Sequence, residues 1–358
     1  MNEDMQYTVL HEFVEPARRN LSPGSWDYLM GGAETETTLE RNRRALDALA
    51  FRPRVLRNVE TVSARGRVLG QDLRLPVILA PIGSLQDFST GGGMGPTRAA
   101  ATFGALHMLS SACAPGLEAV AQCVEYPKIY QLYVRGDTAW VEDHIARAME
   151  SKYIALCLTV DLDYYGRRER DLAKRYLTTS RRSKPADYFQ ARFAWKDVAR
   201  LRAKYPIPFI LKGIATAEDA KLAIEHGIEG IYVSNHGGRQ LDHGRGSVGV
   251  LPEIVDAVAG KAEIIVDGGI LRGTDIVKAI ALGANAVGIG RLQGLALGAG
   301  GEAAVVRMLE LLEDEIVRCL GLLGVTSFAE LSASYVTKAE PLGRSWLDSA
   351  FPLLKEGY

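Results

Sequence analysis

The sequence predicts an α/β protein, a (β/α)8 TIM barrel preceded by an N-terminal helical segment. Two observations carry that expectation: eight short apolar runs recur along the chain, and amphipathic stretches of helical period separate most of them. A third is the glycine after several helical stretches, as in EHGIEG and ALGANA, where a helix ends in the left-handed conformation before the next strand.

The apolar runs fall at 77–82 (VILAPI), 107–111 (HMLSS), 128–133 (KIYQLY), 153–160 (YIALCLTV), 208–214 (PFILKGI), 230–235 (GIYVSN), 263–269 (EIIVDGG) and 286–291 (AVGIGR). Continuous apolar runs of this length suit parallel strands covered on both faces. Helices are expected at 96–104, 115–125, 138–150, 216–226, 249–259 and 273–282, with 302–321 as the eighth, followed by a short tail. Eight alternating units favour a closed barrel over an open dinucleotide-binding sheet. The glycine-rich STGGGMGP at 89–96 lies beyond its strand and lacks G-x-G-x-x-G spacing, so it makes a weak dinucleotide loop. Residues 1–65 fall outside the barrel, with WDYLMGGAETETTLERNRRALDAL reading as a turn and then a helix, and 66–358 form the barrel. The longest connection, 170–196, is expected over the active site; its basic part reads equally as a solvated loop.

Composition narrows the partners. The 358 residues are 47% hydrophobic and 24% charged with net charge −1, as in ordinary globular proteins. Length alone suits two domains, although barrels of this length fold as one. A near-zero net charge offers no electrostatic case for nucleic acid or an anionic membrane. Cys113, Cys123, Cys157 and Cys319 are scattered without metal-ligand spacing, which suits free thiols in a reducing cytosol and implies no metal. No secretory signal and no apolar stretch near the ~20 residues of a membrane helix stand out, so a cytoplasmic protein is expected.

In such barrels the reaction site forms at the C-terminal ends of the strands. Those ends are polar or glycine-rich here: Pro81-Ile82-Gly83, Ser110, Gln131 with Tyr133, Thr159 with Asp161, Lys212, Ser234 with His236 and Arg239, Asp267-Gly268-Gly269, and Gly290-Arg291. Each alone could be a turn or a surface charge. Eight together, above otherwise apolar strands, point to a site.

SNHGGRQLD, with LTVD followed by GRRERD, QLY, LKGI and DGGILRGTD, closely resembles the FMN-dependent 2-hydroxy-acid oxidase and dehydrogenase family, from about Tyr28 to the last helix. Glycolate oxidase, lactate oxidase and mandelate dehydrogenase belong to that family. The resemblance implies FMN as cofactor, an L-2-hydroxy acid as substrate, and reoxidation of the flavin by oxygen or another acceptor. It makes His236 the base and Asp161 its orienting carboxylate, a pairing that suits proton removal near neutral pH. Arg168 and Arg239 match the pair holding the substrate carboxylate, where a guanidinium's planar fork suits the task. Tyr28 matches a further carboxylate contact, and Tyr133 a residue at the substrate hydroxyl.

For the flavin, the resemblance places Lys212 at the N1–C2 edge and Ser110, Gln131, Thr159 and Ser234 at the ring. Pro81, Ile82 and Gly83 lie against the ring, and Asp267 holds the ribityl hydroxyls. Gly268, Gly269, Gly290, Arg291 and Arg272 fall around the phosphate. A homotetramer of barrels is the family's common assembly.

Four positions depart from the family pattern. Leu271 stands where a phosphate-binding arginine is usual, with Arg272 next to it. STGGG at 89–93 replaces a stretch that usually reads like HPEGE. Ala112 replaces a bulky aromatic, leaving room for a larger substituent at C2 of the substrate. Gly83 stands where oxidases often carry alanine, which leaves oxidase, dehydrogenase and monooxygenase outcomes open. Two alternatives remain: an FMN-dependent isomerase on the same barrel, which needs neither a His–Asp pair nor an arginine clamp, and oxidation of a larger metabolite or a hydroxylated peptide end.

Overall fold

Three short strands precede the barrel: β1 (Leu49–Phe51), β2 (Gly66–Val68) and β3 (Gln71–Leu73). The barrel strands follow as β4 (Val77–Leu79), β5 (Leu106–Ser110), β6 (Ile129–Leu132) and β7 (Ala155–Thr159). They continue as β8 (Phe209–Ile214), β9 (Gly230–Val233), β10 (Glu263–Val266) and β11 (Ala286–Ile289), and β12 (Val336–Lys338) lies near the C-terminus. In this computed structural model, which describes residues 7–182, 189–343 and 346–357, β4 to β11 pair in chain order, all parallel, and β11 closes on β4. The fold is the TIM barrel the sequence predicts, one strand at each apolar run, with β5 starting one residue ahead of its run.

Alternate residues of each strand face the barrel interior. At the lower end Ile78, Met108, Ile129, Cys157, Ile210, Tyr232, Ile265 and Ala286 form one buried cluster. Residues of the other face, such as Val77, Leu109, Leu158, Ile231 and Val287, join the larger core beneath the helices. The runs are continuously apolar because both faces are covered. Their polar tails extend past the strand ends to the upper rim.

An antiparallel hairpin that the sequence reading did not anticipate seals the lower end. β2 and β3 pair through Leu69 (φ +48°) and Gly70 (φ +75°), the two positive-φ positions of a tight hairpin turn. Val68 and Leu73 insert into the lower cluster, and the Leu69 N–H donates to the Glu263 carboxylate at the start of β10.

The helices broadly follow the expected spans. Caps set some starts: the Asp137 carboxylate accepts from the Trp140 N–H (2.9 Å), and the Thr216 hydroxyl accepts from the Asp219 N–H (3.2 Å). The eighth helix begins earlier than expected, at Arg291, and runs to Leu323 with a break at Gly300–Gly301. The expected helix at 115–125 is shorter, Leu117–Gln122.

Before the barrel come helices Val14–Asn20, Pro23–Met30 and Thr37–Asp47; beyond Asp47 the chain is β1 and then largely irregular, not helical. Asn42 and Asn235 exchange amide hydrogen bonds (2.8 Å each), and buried Arg43 pairs with Asp275. β1 pairs antiparallel with β12. The 170–196 connection contains helices Glu169–Ala173 and Thr179–Arg182 and a 3-10 turn, Phe189–Arg192. Residues 183–188 of that connection and 1–6 of the N-terminal segment lie outside the described residues. Buried Gln190 ties the connection down, donating to the Thr159 carbonyl (2.6 Å) and accepting from the Val134 N–H (3.2 Å).

Candidate active site

Following the inward-facing register upward, apolar side chains give way to polar ones: Ile210 to Lys212, Ile265 to Asp267, Cys157 to Thr159, Ile129 to Gln131. Above them opens a cleft with about 1080 Å³ of empty space, part of it open to solvent. Its walls include Tyr28, Pro81, Ile82, Gly83, Ala112, Tyr133, Arg168, Lys212, His236, Arg239, Asp267, Gly268, Gly269, Gly290 and Arg291, all candidates from the sequence.

Of the other candidates, Ser110, Gln131, Thr159, Asp161 and Ser234 lie behind this wall and hold it. Asp161 Oδ1 meets His236 Nδ1 at 3.0 Å, and His236 Nε2 lies 3.3 Å from the Tyr133 hydroxyl. One ring nitrogen is thereby committed to the carboxylate while the other faces the cleft. His236 adopts φ +59° in the turn after β9, followed by Gly237 (φ +64°) and Gly238 (φ +75°). A Cβ at Gly238 would lie 2.5 Å from the Leu39 backbone, so this turn needs glycine where it passes the N-terminal helix. Gln240 fixes the neighbouring chain by donating to the carbonyls of Asp161 (2.9 Å) and Tyr164 (2.8 Å).

Burial presses the His236 imidazole below its ordinary range, against the pull of Asp161 beside it. Burial pushes Asp161 up, but the His236 ring, the bond to it and nearby Lys212 hold its carboxyl below the usual range. Burial also raises the Tyr133 phenol, so it remains a neutral donor.

Lys212 Nζ donates to Ser234 Oγ (2.9 Å), Ser234 Oγ donates to Asp267 Oδ1 (2.6 Å), and Asp267 Oδ2 lies 3.5 Å from Lys212 Nζ. Burial lowers the Lys212 ammonium, but Asp267 and Asp161 more than offset it, so it stays charged. Gln131 Nε2 donates to Thr159 Oγ1 (2.8 Å), and Ser110 Oγ accepts from the Ala112 N–H (3.2 Å).

The arginines are short of anions. Arg239 donates to the carbonyls of Tyr28 and Gly31, and Arg291 to the same Gly31 carbonyl (2.7 Å). Arg168 donates to the Tyr165 hydroxyl, and Arg239 lies 4.5 Å over the Tyr28 ring. Burial and its cationic neighbour Arg239 press the Arg291 guanidinium down to about 9; burial and Arg168 lower Arg239 as well. Arg239 Nη2, Arg291 Nε and Gln131 Oε1 are buried without a hydrogen-bond partner. Orphaned donors beside crowded cations call for an anion, and an orphaned amide oxygen calls for a donor.

Arg272, expected near the phosphate, points elsewhere. It bonds Glu315 on the eighth helix and the Ala350 carbonyl (2.9 Å) and lies outside the cleft wall. As N-cap of the helix Gly273–Ala281 it is turned toward the eighth helix, and Leu271 faces the cleft in its place. The STGGG stretch is a turn entering the helix Met94–Phe103, with Gly92 packed against the Ala114 carbonyl, and it too stays off the wall. The sequence reading missed Arg135, Tyr165, Thr178, Arg181 and Trp346, all wall residues. Tyr165 was within reach because it shares the DYYGRR stretch with Arg168; Trp346 sits in a tail without motif.

The residues present fit FMN. Gly268 (φ +101°) and Gly269 (φ +81°) lie against Asn42, where a Cβ would come within 2.9 Å of neighbouring atoms, while a Cβ at Gly290 would meet nothing within 4 Å. Bare backbone, open space and Arg291 suit a phosphate. Lys212, Gln131 and the Pro81–Gly83 backbone suit a flat ring with polar edges.

A family model described as FMN-dependent dehydrogenase matches residues 17–338. Glycolate oxidase 5 of Oryza sativa subsp. japonica is 36% identical over 361 residues, covering 94% of this chain and 98% of that protein. L-lactate oxidase of Nostoc sp. is 38% identical over 356 residues, covering 91% and 97%. Among solved structures, a mandelate oxidase with 3,3-difluoro-2-hydroxy-3-phenylpropionic acid gives a TM-score of 0.87 at 36% identity, over 94% of this chain and 100% of that one. A mutant of (S)-mandelate dehydrogenase gives 0.87 at 31% identity, over 92% and 99%.

Proposed function

This chain belongs to the FMN-dependent dehydrogenase family, and from that premise we propose that it oxidises an L-2-hydroxy acid to the 2-oxo acid with His236 as base. The observation that carries this reading is the His236–Asp161 pair, with Nε2 facing the cleft between Tyr133 and the arginines.

When bound, FMN would supply the acceptor for the hydride, the C2 hydrogen with its two electrons, that leaves the substrate. Arg168 and Arg239 hold the substrate carboxylate with their unused donors, assisted by the Tyr28 hydroxyl, and so fix which face of C2 is presented. Tyr133 positions the substrate hydroxyl. His236 Nε2 accepts the proton released as the hydroxyl becomes a carbonyl. Asp161 keeps the Nδ1–H in place and stabilises the imidazolium that results. Lys212, kept charged by Asp267, would place positive charge beside the flavin ring and so favour its taking up electrons. Gln131 and Thr159 would bond the ring, Arg291 and the glycine backbone would hold the phosphate, and Asp267 the ribityl chain. Ala112 makes room for a C2 substituent larger than methyl.

His236→Ala tests the assignment in FMN-loaded enzyme. The expected result is retained flavin absorbance with flavin reduction slowed by at least the ~10²–10⁴ of a lost acid–base catalyst. Reduction at near wild-type rate would remove His236 from the mechanism.

A further inference from the structure

Six cationic side chains line the cleft against one carboxylate, Asp267. The proposed function gives four of the cations an anion: Arg168 and Arg239 the substrate carboxylate, Arg291 the phosphate, and Lys212 the electron-rich ring edge. Arg135 and Arg181 are left over. Arg181 stacks over the Tyr165 ring at 3.9 Å, and Arg135 lies over the Tyr133 ring at 5.6 Å. Among the described residues neither guanidinium has a hydrogen bond or an ion pair. An aromatic face offsets part of the charge and leaves the N–H donors unused.

Nearby acids do not answer them. Asp161 is committed to His236, and Asp267 to Ser234 and Lys212. Asp171 lies near Arg239, Arg168 and Arg181, but it makes no ion pair with them and burial pushes its carboxyl up. Arg181 is also anchored. Its helix Thr179–Arg182 is tied to the rim of β4 by the Thr179 N–H on Asp87 (2.9 Å) and by Ser84 on Ser180 (2.7 Å).

Tyr165 sets the spacing. Arg168 lies 4.1 Å from the centroid of the ring that Arg181 covers, so the two guanidinium carbons cannot be further apart than those two distances combined. That is an upper limit, and a chain of roughly four to five carbons is long enough for its two anionic ends to reach guanidinium groups no further apart than this. Small Ala112 lines the same cleft and leaves it clear.

We propose that the substrate is a 2-hydroxy acid whose side chain ends in a second anionic group, bound by Arg181 with Arg135. The proposal rests on the reading of this cleft as a 2-hydroxy-acid site. A carboxylate and a phosphate ester share the required chemistry, since a guanidinium grips either through paired donors.

The test uses the full-length, FMN-loaded enzyme and anaerobic flavin reduction. Probes are L-malate and L-2-hydroxyglutarate as dicarboxylates, racemic 3-phosphoglycerate as the phosphate ester, and L-2-hydroxyhexanoate as the neutral chain. A dianionic probe is expected to exceed the neutral one at least roughly tenfold in kcat/KM, one charge-assisted contact's worth. Which dianion leads decides between carboxylate and phosphate ester. Arg181→Leu should cut the dianion-to-neutral ratio by roughly 10- to 100-fold, mainly through KM, and Arg181→Lys should restore part of it. The proposal is overturned if the neutral acid matches or beats every dianion, or if Arg181→Leu leaves the ratio unchanged. Absence of flavin reduction by any 2-hydroxy acid would overturn the underlying reading as well, so the two failures are distinguishable.

Discussion

Along β8, Ile210 faces the barrel interior at the lower end and Lys212, two residues on, faces it at the upper end; along β10, Ile265 gives way to Asp267 in the same way. The buried cluster at the lower end is apolar but for the Cys157 thiol and the Tyr232 hydroxyl, and Val68 and Leu73 of the hairpin close it. The upper end holds six cations, a His–Asp pair and several orphaned polar atoms. Between them Tyr232 lies beneath Lys212 and crowds Gly288, where a Cβ would sit 1.9 Å from its hydroxyl oxygen. One strand register therefore serves two purposes. Below, burial of apolar surface stabilises the fold; above, the groups are arranged for partners the chain itself does not supply.

If that division holds, changes at the two ends should affect different observables. Arg239→Lys at the upper end should lower kcat/KM by roughly 10²- to 10³-fold with the melting temperature little changed, because lysine would lose the two-pronged grip proposed for the substrate carboxylate. Unaltered kinetics would break the clamp assignment.

Leu73→Ala at the lower end should do the reverse. The side chain is 1% exposed, so a cavity there should cost about 2–5 kcal/mol of stability in denaturant unfolding while kcat stays near wild type. A fall in kcat without a fall in stability would show that the ends are not separable in this way.

Ala112→Trp should shift selectivity toward glycolate and lactate over large 2-hydroxy acids by about tenfold, since one lost pocket contact is worth about 1–3 kcal/mol. Its side chain lines the cleft, and a Cβ on Gly83 would already lie 3.2 Å from its methyl. Equal loss across substrate sizes would make Ala112 a packing residue.

The smallest effect concerns pH. As the proposed base His236 would act only when neutral, and burial holds its pKa below the ordinary value, so the neutral form persists to lower pH than usual. The half-fall of the acidic limb of kcat/KM should therefore lie below about 6.5, the ordinary histidine value. A half-fall at or above that value would contradict the assigned environment.

How much of this was legible depends on which physical signal each part leaves in the sequence. The barrel strands read clearly because burial on both faces writes a continuous apolar run. The hairpin did not, because RVLGQDL is short and alternates, and its Leu69-Gly70 turn lacks the usual Asn-Gly or Asp-Gly pair. Residues at strand ends, such as His236 and Lys212, could be located because the barrel dictates where strand ends go. Arg272 was misplaced because adjacent residues at a helix start point in different directions, and a one-residue difference sends the arginine to Glu315 and Leu271 to the cleft. Arg181 and Trp346 come from connections whose course no periodicity describes.

The most direct test is anaerobic addition of 2-hydroxy acids, including the dianionic probes, to the FMN-loaded wild-type enzyme, with the flavin absorbance followed in time. The account predicts bleaching of the oxidised flavin band with one equivalent of 2-oxo acid formed per flavin, and little or no bleaching by the corresponding ester or amide. A flavin that stays oxidised with every free acid, or bleaches equally well with the ester, would contradict it.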